Sequence, residues 1–140
     1  MTEDISDWTL VSLVARQAEA QGEREFMTFE HGTTLTFASL HRDSAVVARK
    51  LAGLGVGPGD RVMVMLKNRI EFMLTMLAIM RLGAIFVPIN AELKGAFLQN
   101  QMRNAEPRVI CLDAVLGDAF DAVKGGNDNL GAVIYVAGDV

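Results

Sequence analysis

Apolar residues recur along this chain in two rhythms. From Leu10 onward, Leu10, Leu13, Val14 and Ala18 fall on one face of a helix running to about Gln21, with Thr9 as N-cap and Gly22 as its end. Phe26 to Glu30 and Leu35 to Phe37 read as two short strands around His31-Gly32-Thr33-Thr34, with Gly32 at a hairpin turn. Thr36 or Phe37 then leads into a second helix. Its apolar stripe is Leu40, Val47, Ala48, Leu51 and Leu54; Arg42, Asp43, Arg49 and Lys50 face solvent. Gly53 and Gly55 stop it.

The rhythm changes after the loop Gly55-Val56-Gly57-Pro58-Gly59-Asp60. Arg61 to Leu66 is apolar on both faces, with Met63 and Met65 on one and Val62, Val64 and Leu66 on the other. A strand covered on both sides belongs in a parallel sheet. Asn68 is placed to cap a third helix from about Arg69 to Leu82, with Glu71 in its first turn and Gly83 behind it. Ala84 to Pro88 is a second buried strand. Glu92 to Asn104 reads as a helix, Arg108 to Leu112 as a strand, Val115 to Val123 as a short helix and Ala132 to Val136 as a strand. Lys124 to Asn129 is a surface turn. Such alternation predicts an α/β fold. Its mainly parallel sheet has helices on both faces, in a three-layer Rossmann- or flavodoxin-like order, preceded by a helix and a short β-hairpin.

Composition narrows the class. The chain has 140 residues, 51% of them hydrophobic and 21% charged. A chain of this size buries roughly 68–70% of the surface it exposes when unfolded, enough for one core. Its 13 Lys and Arg against 17 Asp and Glu give a net charge of −4. No basic block marks a nucleic-acid or anionic-membrane partner. The acidic start MTEDISDW is not a secretory signal, and no apolar run reaches the ~20 residues of a membrane span. A single cysteine, Cys111, allows no internal disulfide and no cysteine-based metal site. A cytoplasmic location is expected. Residues 1–140 form one unit, without an internal repeat or a long linker.

Candidate chemistry is sparse. The glycine loop lies between a helix and a strand, the reverse of a phosphate cradle, and reads as a turn. Asn68 and Glu71 lie where a strand passes into a helix, and Asn90 lies just beyond another strand. Ligands of parallel sheets bind at such carboxyl ends, so these three are positional candidates for lining a site. Helix capping by Asn68 and Glu71 and loop support by Asn90 are the preferred readings. Met73, Met76 and Met80 form a helical stripe that reads as core or interface, with an acyl-chain tunnel as the alternative. His31 and His41 read as surface histidines, Cys111 as a buried thiol and Asp113 as a helix cap. No catalytic residue and no metal-ligand set is identified.

Several short motifs in order resemble one family. Leu35-Thr36-Phe37-Ala38-Ser39-Leu40 is similar to the "TYAEL" segment of AMP-forming acyl-CoA synthetases. Leu54 to Val62 matches their "LGVGPGDRV". Asn68-Arg69-Ile70-Glu71-Phe72 resembles "NxxEF", Gly83 to Asn90 resembles "GAVxVPLN", and Arg108-Val109-Ile110 fits the strand that follows. The resemblance spans about residues 8–113. It implies the adenylate-forming superfamily, whose members activate a carboxylate with ATP and Mg²⁺ and pass the acyl group to a thiol, commonly that of CoA. The stretch Ile89 to Leu98 is similar to ligases of the crotonobetaine/carnitine-CoA and fatty-acid type.

By the same resemblance, the family's Ser/Thr/Gly-rich phosphate loop, its aromatic adenine and acyl pocket, its ribose-binding aspartate and its lid lysine are expected beyond Val140. The chain is thus expected to be the opening portion of a large N-terminal domain, binding no cofactor and inactive alone. ATP, Mg²⁺ and CoA would belong to the longer parent. Its expected partners are the remainder of that ligase and, through exposed apolar surface, a second copy. The alternatives are a free-standing α/β nucleotide-binding module and a self-associating interaction module.

Overall fold

The computed structural model describes residues 8–30 and 32–138. Helix α1 (Leu10–Gln21) leads to a hairpin of β1 (Glu25–Thr28) and β2 (Thr34–Thr36). Then follow α2 (Phe37–Gly53), β3 (Arg61–Met65), α3 (Ile70–Arg81), β4 (Ile85–Pro88), α4 (Gly95–Ala105) and β5 (Val109–Asp113). A 3-10 turn (Ala114–Leu116), α5 (Gly117–Asp121) and β6 (Ala132–Val136) are the last elements among the described residues. Strands β3 to β6 form one parallel sheet in the order β4-β3-β5-β6. The hairpin is a separate antiparallel sheet with an irregular register between Glu25 and Met27. The expected α/β alternation, the parallel sheet and the preceding helix and hairpin are all present.

The central strands are why the sheet holds. Val62 and Val64 of β3 and Val109 and Cys111 of β5 face α2 and α3, packing on Ala48, Leu51, Ala78 and Ile79. Met63, Met65, Ile110 and Leu112 face the other way, onto Leu98 and Met102 of α4 and Phe120 of α5. Complete burial of such side chains contributes roughly 1.5–3 kcal/mol each. A third cluster of Val14, Leu35, Leu40 and Leu77 fastens α1 and the hairpin to α2 and α3. The hairpin lies beside the sheet and not within it, held by these side chains and, at its base, by the backbone N–H groups of Phe37 and Ala38 donating to the carbonyls of Arg24 and Gly22.

Helix entry follows the predicted chemistry in two places. Thr9 and Thr36 each accept a backbone N–H from the third helical residue, Ser12 or Ser39, whose side chain accepts from the cap backbone in return. The glycine loop is a helix-to-strand turn. Gly55 sits at φ 85°, and a Cβ there would lie 2.8 Å from a guanidinium nitrogen of Arg108. Arg108 donates through Nε to the Gly55 carbonyl at 3.0 Å, so this glycine supplies both the backbone conformation and the space.

Several expectations need correction. Asn68 does not cap α3: the N-cap position is Arg69, with no side-chain cap bond, and the helix begins at Ile70. Helix α4 begins at Gly95 and not Glu92, because Asn90 Oδ1 accepts the Glu92 N–H at 2.9 Å and holds that stretch as a turn. Asp113 makes no cap bond to the 3-10 turn. Of the methionine stripe, Met73 packs on the hairpin cluster and Met76 is half-buried, but the fully buried face of α3 is another one. That face is Thr75, Leu77, Ala78 and Ile79, and Met80 is exposed. His41 is half-buried and not on the surface: its Nδ1 and carbonyl oxygen lie 2.8 and 3.0 Å from Nη2 of Arg81. Arginine has no acceptor, so Nδ1 accepts. His31 lies outside the described residues.

Candidate functional site

The sheet order puts β3 between β4 and β5, so its crossovers run in opposite directions on its two sides. In doubly wound sheets the ligand crevice opens at that reversal, past the carboxyl ends of the strands. Two things occupy that end of the molecule here. One is a buried cluster of charges between β3 and β5. The other is an open cleft of about 800 Å³ on the β4 side.

The cleft has three walls. The β3–α3 connection supplies Leu66 to Glu71, the β4–α4 connection supplies Ile89 to Glu92, and the hairpin supplies Phe29, Glu30 and Thr33. Asn68, Glu71 and Asn90 all line it, so three residues separated in sequence share one cavity. Their side chains differ in freedom. Asn68 is exposed and Asn90 is committed to its turn. Glu71 accepts from Arg69 Nε at 2.8 Å and from Nη2 at 3.3 Å. Those hydrogen bonds hold the Glu71 carboxyl below the usual range of a glutamate, against the opposing effect of burial.

Arg69 was not legible as a functional-site residue, yet it organises this end of the sheet. It is only 6% exposed, and its Nη1 donates to Oδ1 of Asp113, which is 1% exposed. Asp113 Oδ2 accepts the Lys67 backbone N–H at 2.7 Å. Arg69 Nη2 also donates to the Ala137 carbonyl at 2.9 Å. The expected cap at Asp113 is thus a buried ion-pair partner. Its signal in the sequence was a lone carboxylate ending a wholly apolar strand. Two residues earlier on the same face of β5, Cys111 is pushed up to about 12 by burial, and its thiol stays protonated and inert at neutral pH.

Residues 14–138 match the family model described as AMP-binding enzyme. The chain belongs to the AMP-binding enzyme family. Among curated relatives, it is 35% identical over 112 residues to the hybrid PKS-NRPS synthetase thnA of Trichoderma harzianum, covering 79% of this chain and 3% of that protein. It is 31% identical over 118 residues to 4-coumarate–CoA ligase-like 9 of Oryza sativa subsp. japonica, covering 83% of this chain and 21% of that one. A fatty acyl CoA synthetase from Mycobacterium tuberculosis superposes with a TM-score of 0.86 at 20% identity, over 95% of this chain and 27% of that chain. The AMP-binding fold is therefore shared, while this chain spans only a fraction of its relatives' lengths.

Proposed function

We propose that this chain is the opening portion of the large N-terminal domain of an AMP-forming acyl-CoA ligase. The longer enzyme would activate a carboxylic acid of fatty or related type with ATP and Mg²⁺ to an acyl-adenylate, then pass the acyl group to CoA, in the cytoplasm. The family match over residues 14–138 carries this reading. The curated CoA ligase among the relatives supports the thiol acceptor. Among the described residues no helix is long and apolar enough to cross a membrane, which is compatible with the proposed location.

The cleft does not fit the phosphate chemistry. Adenylation builds charge on phosphate oxygens, which must be met by cations, backbone donors or metal. The cleft presents three carboxylates, Glu30, Glu71 and Glu92, against Lys67, and Arg69 is already committed to Glu71, Asp113 and Ala137. Among the described residues no cluster of three carboxylate, histidine or cysteine side chains is placed to hold a metal ion. No catalytic step is assigned to these residues. Their part is to build one wall of a larger site and the sheet behind it. Strands β4 and β6 each have one sheet neighbour, and Ile85 and Tyr135 on them are exposed. Those edges suit the remainder of the ligase and, in its absence, a second copy.

The test compares the 140-residue chain with the longest protein its reading frame encodes, supplied with ATP, Mg²⁺, CoA and a panel of fatty and aryl acids. The longer protein should release pyrophosphate and form a thioester, while the 140-residue chain should form none. Thioester formation by the short chain would overturn the reading. So would a longer protein that binds acid and ATP yet releases no pyrophosphate.

A further inference from the structure

A guanidinium fills the switch point of this sheet where a ligand crevice is expected. Its five N–H donors are fixed in one plane. They reach acceptors from three separate parts of the chain. Nε and Nη2 hold Glu71 in the first turn of α3, Nη1 holds Asp113 at the end of β5, and Nη2 holds the Ala137 carbonyl just past β6. The second oxygen of Asp113 then holds the Lys67 N–H in the cleft loop. A planar fork cannot follow one acceptor without turning away from the others. Any N–H so released is buried and left without a partner, which is strongly unfavourable.

We propose that Arg69 is a positioning residue that couples the main chain beyond β6 to the cleft. Lys67 and Asn68 keep their places in the cleft wall only while the carbonyl of Ala137 is docked on the guanidinium. Displacing that segment turns the fork, moves Asp113, and releases the Lys67 amide. The carboxylate is the rigid link, because its two oxygens serve the arginine and the loop separately. This coupling does not depend on the ligase reading, since it concerns contacts within the chain.

The experiment uses nitrogen-15-labelled 140-residue chain and compares it with two variants, one lacking residues 137–140 and one carrying Arg69→Lys. Hydrogen exchange is read at the Lys67 amide, and chemical shifts are read at the Asn68 side-chain amide. The amides of Val64 and Ile110 in the central strands serve as the global reference. Truncation should speed Lys67 exchange at least tenfold and shift the Asn68 signals, with Val64 and Ile110 unchanged. Arg69→Lys keeps the charge but not the fork and should give the same signature with residues 137–140 in place. Adding the truncation to it should then change nothing more. If Arg69→Lys does not fold, the truncation decides alone. An unchanged Lys67 amide in the truncated chain overturns the proposal, as does equal acceleration at Lys67 and Ile110, or a double variant whose effects simply add.

Discussion

Arg69, Asp113 and Glu71 form one linked set of charges that runs from the interior to the cleft. Asp113 is almost wholly buried and is satisfied by a guanidinium and an amide. Glu71, with 45% of its side chain exposed, is the member that faces solvent. Its folded carboxyl lies below the ordinary value, chiefly through the hydrogen bonds from Arg69. The unfolded glutamate titrates near 4.3. The stabilisation is therefore complete above that pH and disappears as pH falls through the lower folded value. Glu71→Gln should lower the urea midpoint at pH 7, and the difference from the parent chain should close between about pH 4.3 and the acid limit of folding. Solvent screening keeps the effect small. A gap that persists unchanged to low pH would assign Glu71 another role. None of this could be read from local spacing. Asn68 has the residue type of an N-cap and drew attention, while Arg69 looks like any surface cation until Asp113 arrives from 44 residues away.

At the scale of elements, the legible boundaries are those set by neighbouring residues. Thr36 and Ser39 satisfy each other's backbone groups within one turn, so the start of α2 is written locally. Thr36→Ala should cost about 1 kcal/mol, and Thr36→Ser should cost almost nothing. Urea melts of both variants check this, and an equal loss for serine would mean that the methyl group and not the cap matters. The start of α3 is set differently. It lacks a side-chain cap, and its first turn is fixed by Arg69 reaching across the sheet. The fully buried face of α3 departs from the methionine stripe for a physical reason. Methionine is apolar enough to enter any stripe, but the crowded approach of α2 and β3 favours the smaller Thr75 and Ala78 there, and Met80 is left outside. Helix α5, five residues long, would not form alone and depends on Phe120, fully buried under Met63 and Met65.

For the whole molecule, the alternation of strand and helix was readable because the central strands are apolar on both faces, a pattern that only a doubly covered sheet explains. The order of the strands was not readable, since it depends on which pairs meet after each crossover. Nor was the cleft as a cavity. Asn68, Glu71 and Asn90 were each plausible from their place after a strand, but only the neighbouring positions of β3 and β4 put them together, with Phe29 and Glu30 of the hairpin as the far wall. The motif Leu54 to Val62 carried the family signal, and its physical content is a turn that leaves space for Arg108.

The same crossover has a consequence in time. Strand β4 follows β3 after one helix, but β5, with Asp113 at its end, emerges much later. At roughly 5–20 residues per second, synthesis leaves Arg69 without its partner for several seconds. Its guanidinium stays hydrated until β5 inserts beside β3, and Ala137 comes later still. A clasp that closes after the folding barrier has a kinetic signature. Arg69→Gln should speed unfolding in urea and leave the refolding arm of the chevron nearly unchanged. A refolding rate that fell by the whole loss of stability would instead put these charges in the nucleus. The first outcome would make the clasp a brake on unfolding rather than a guide to folding.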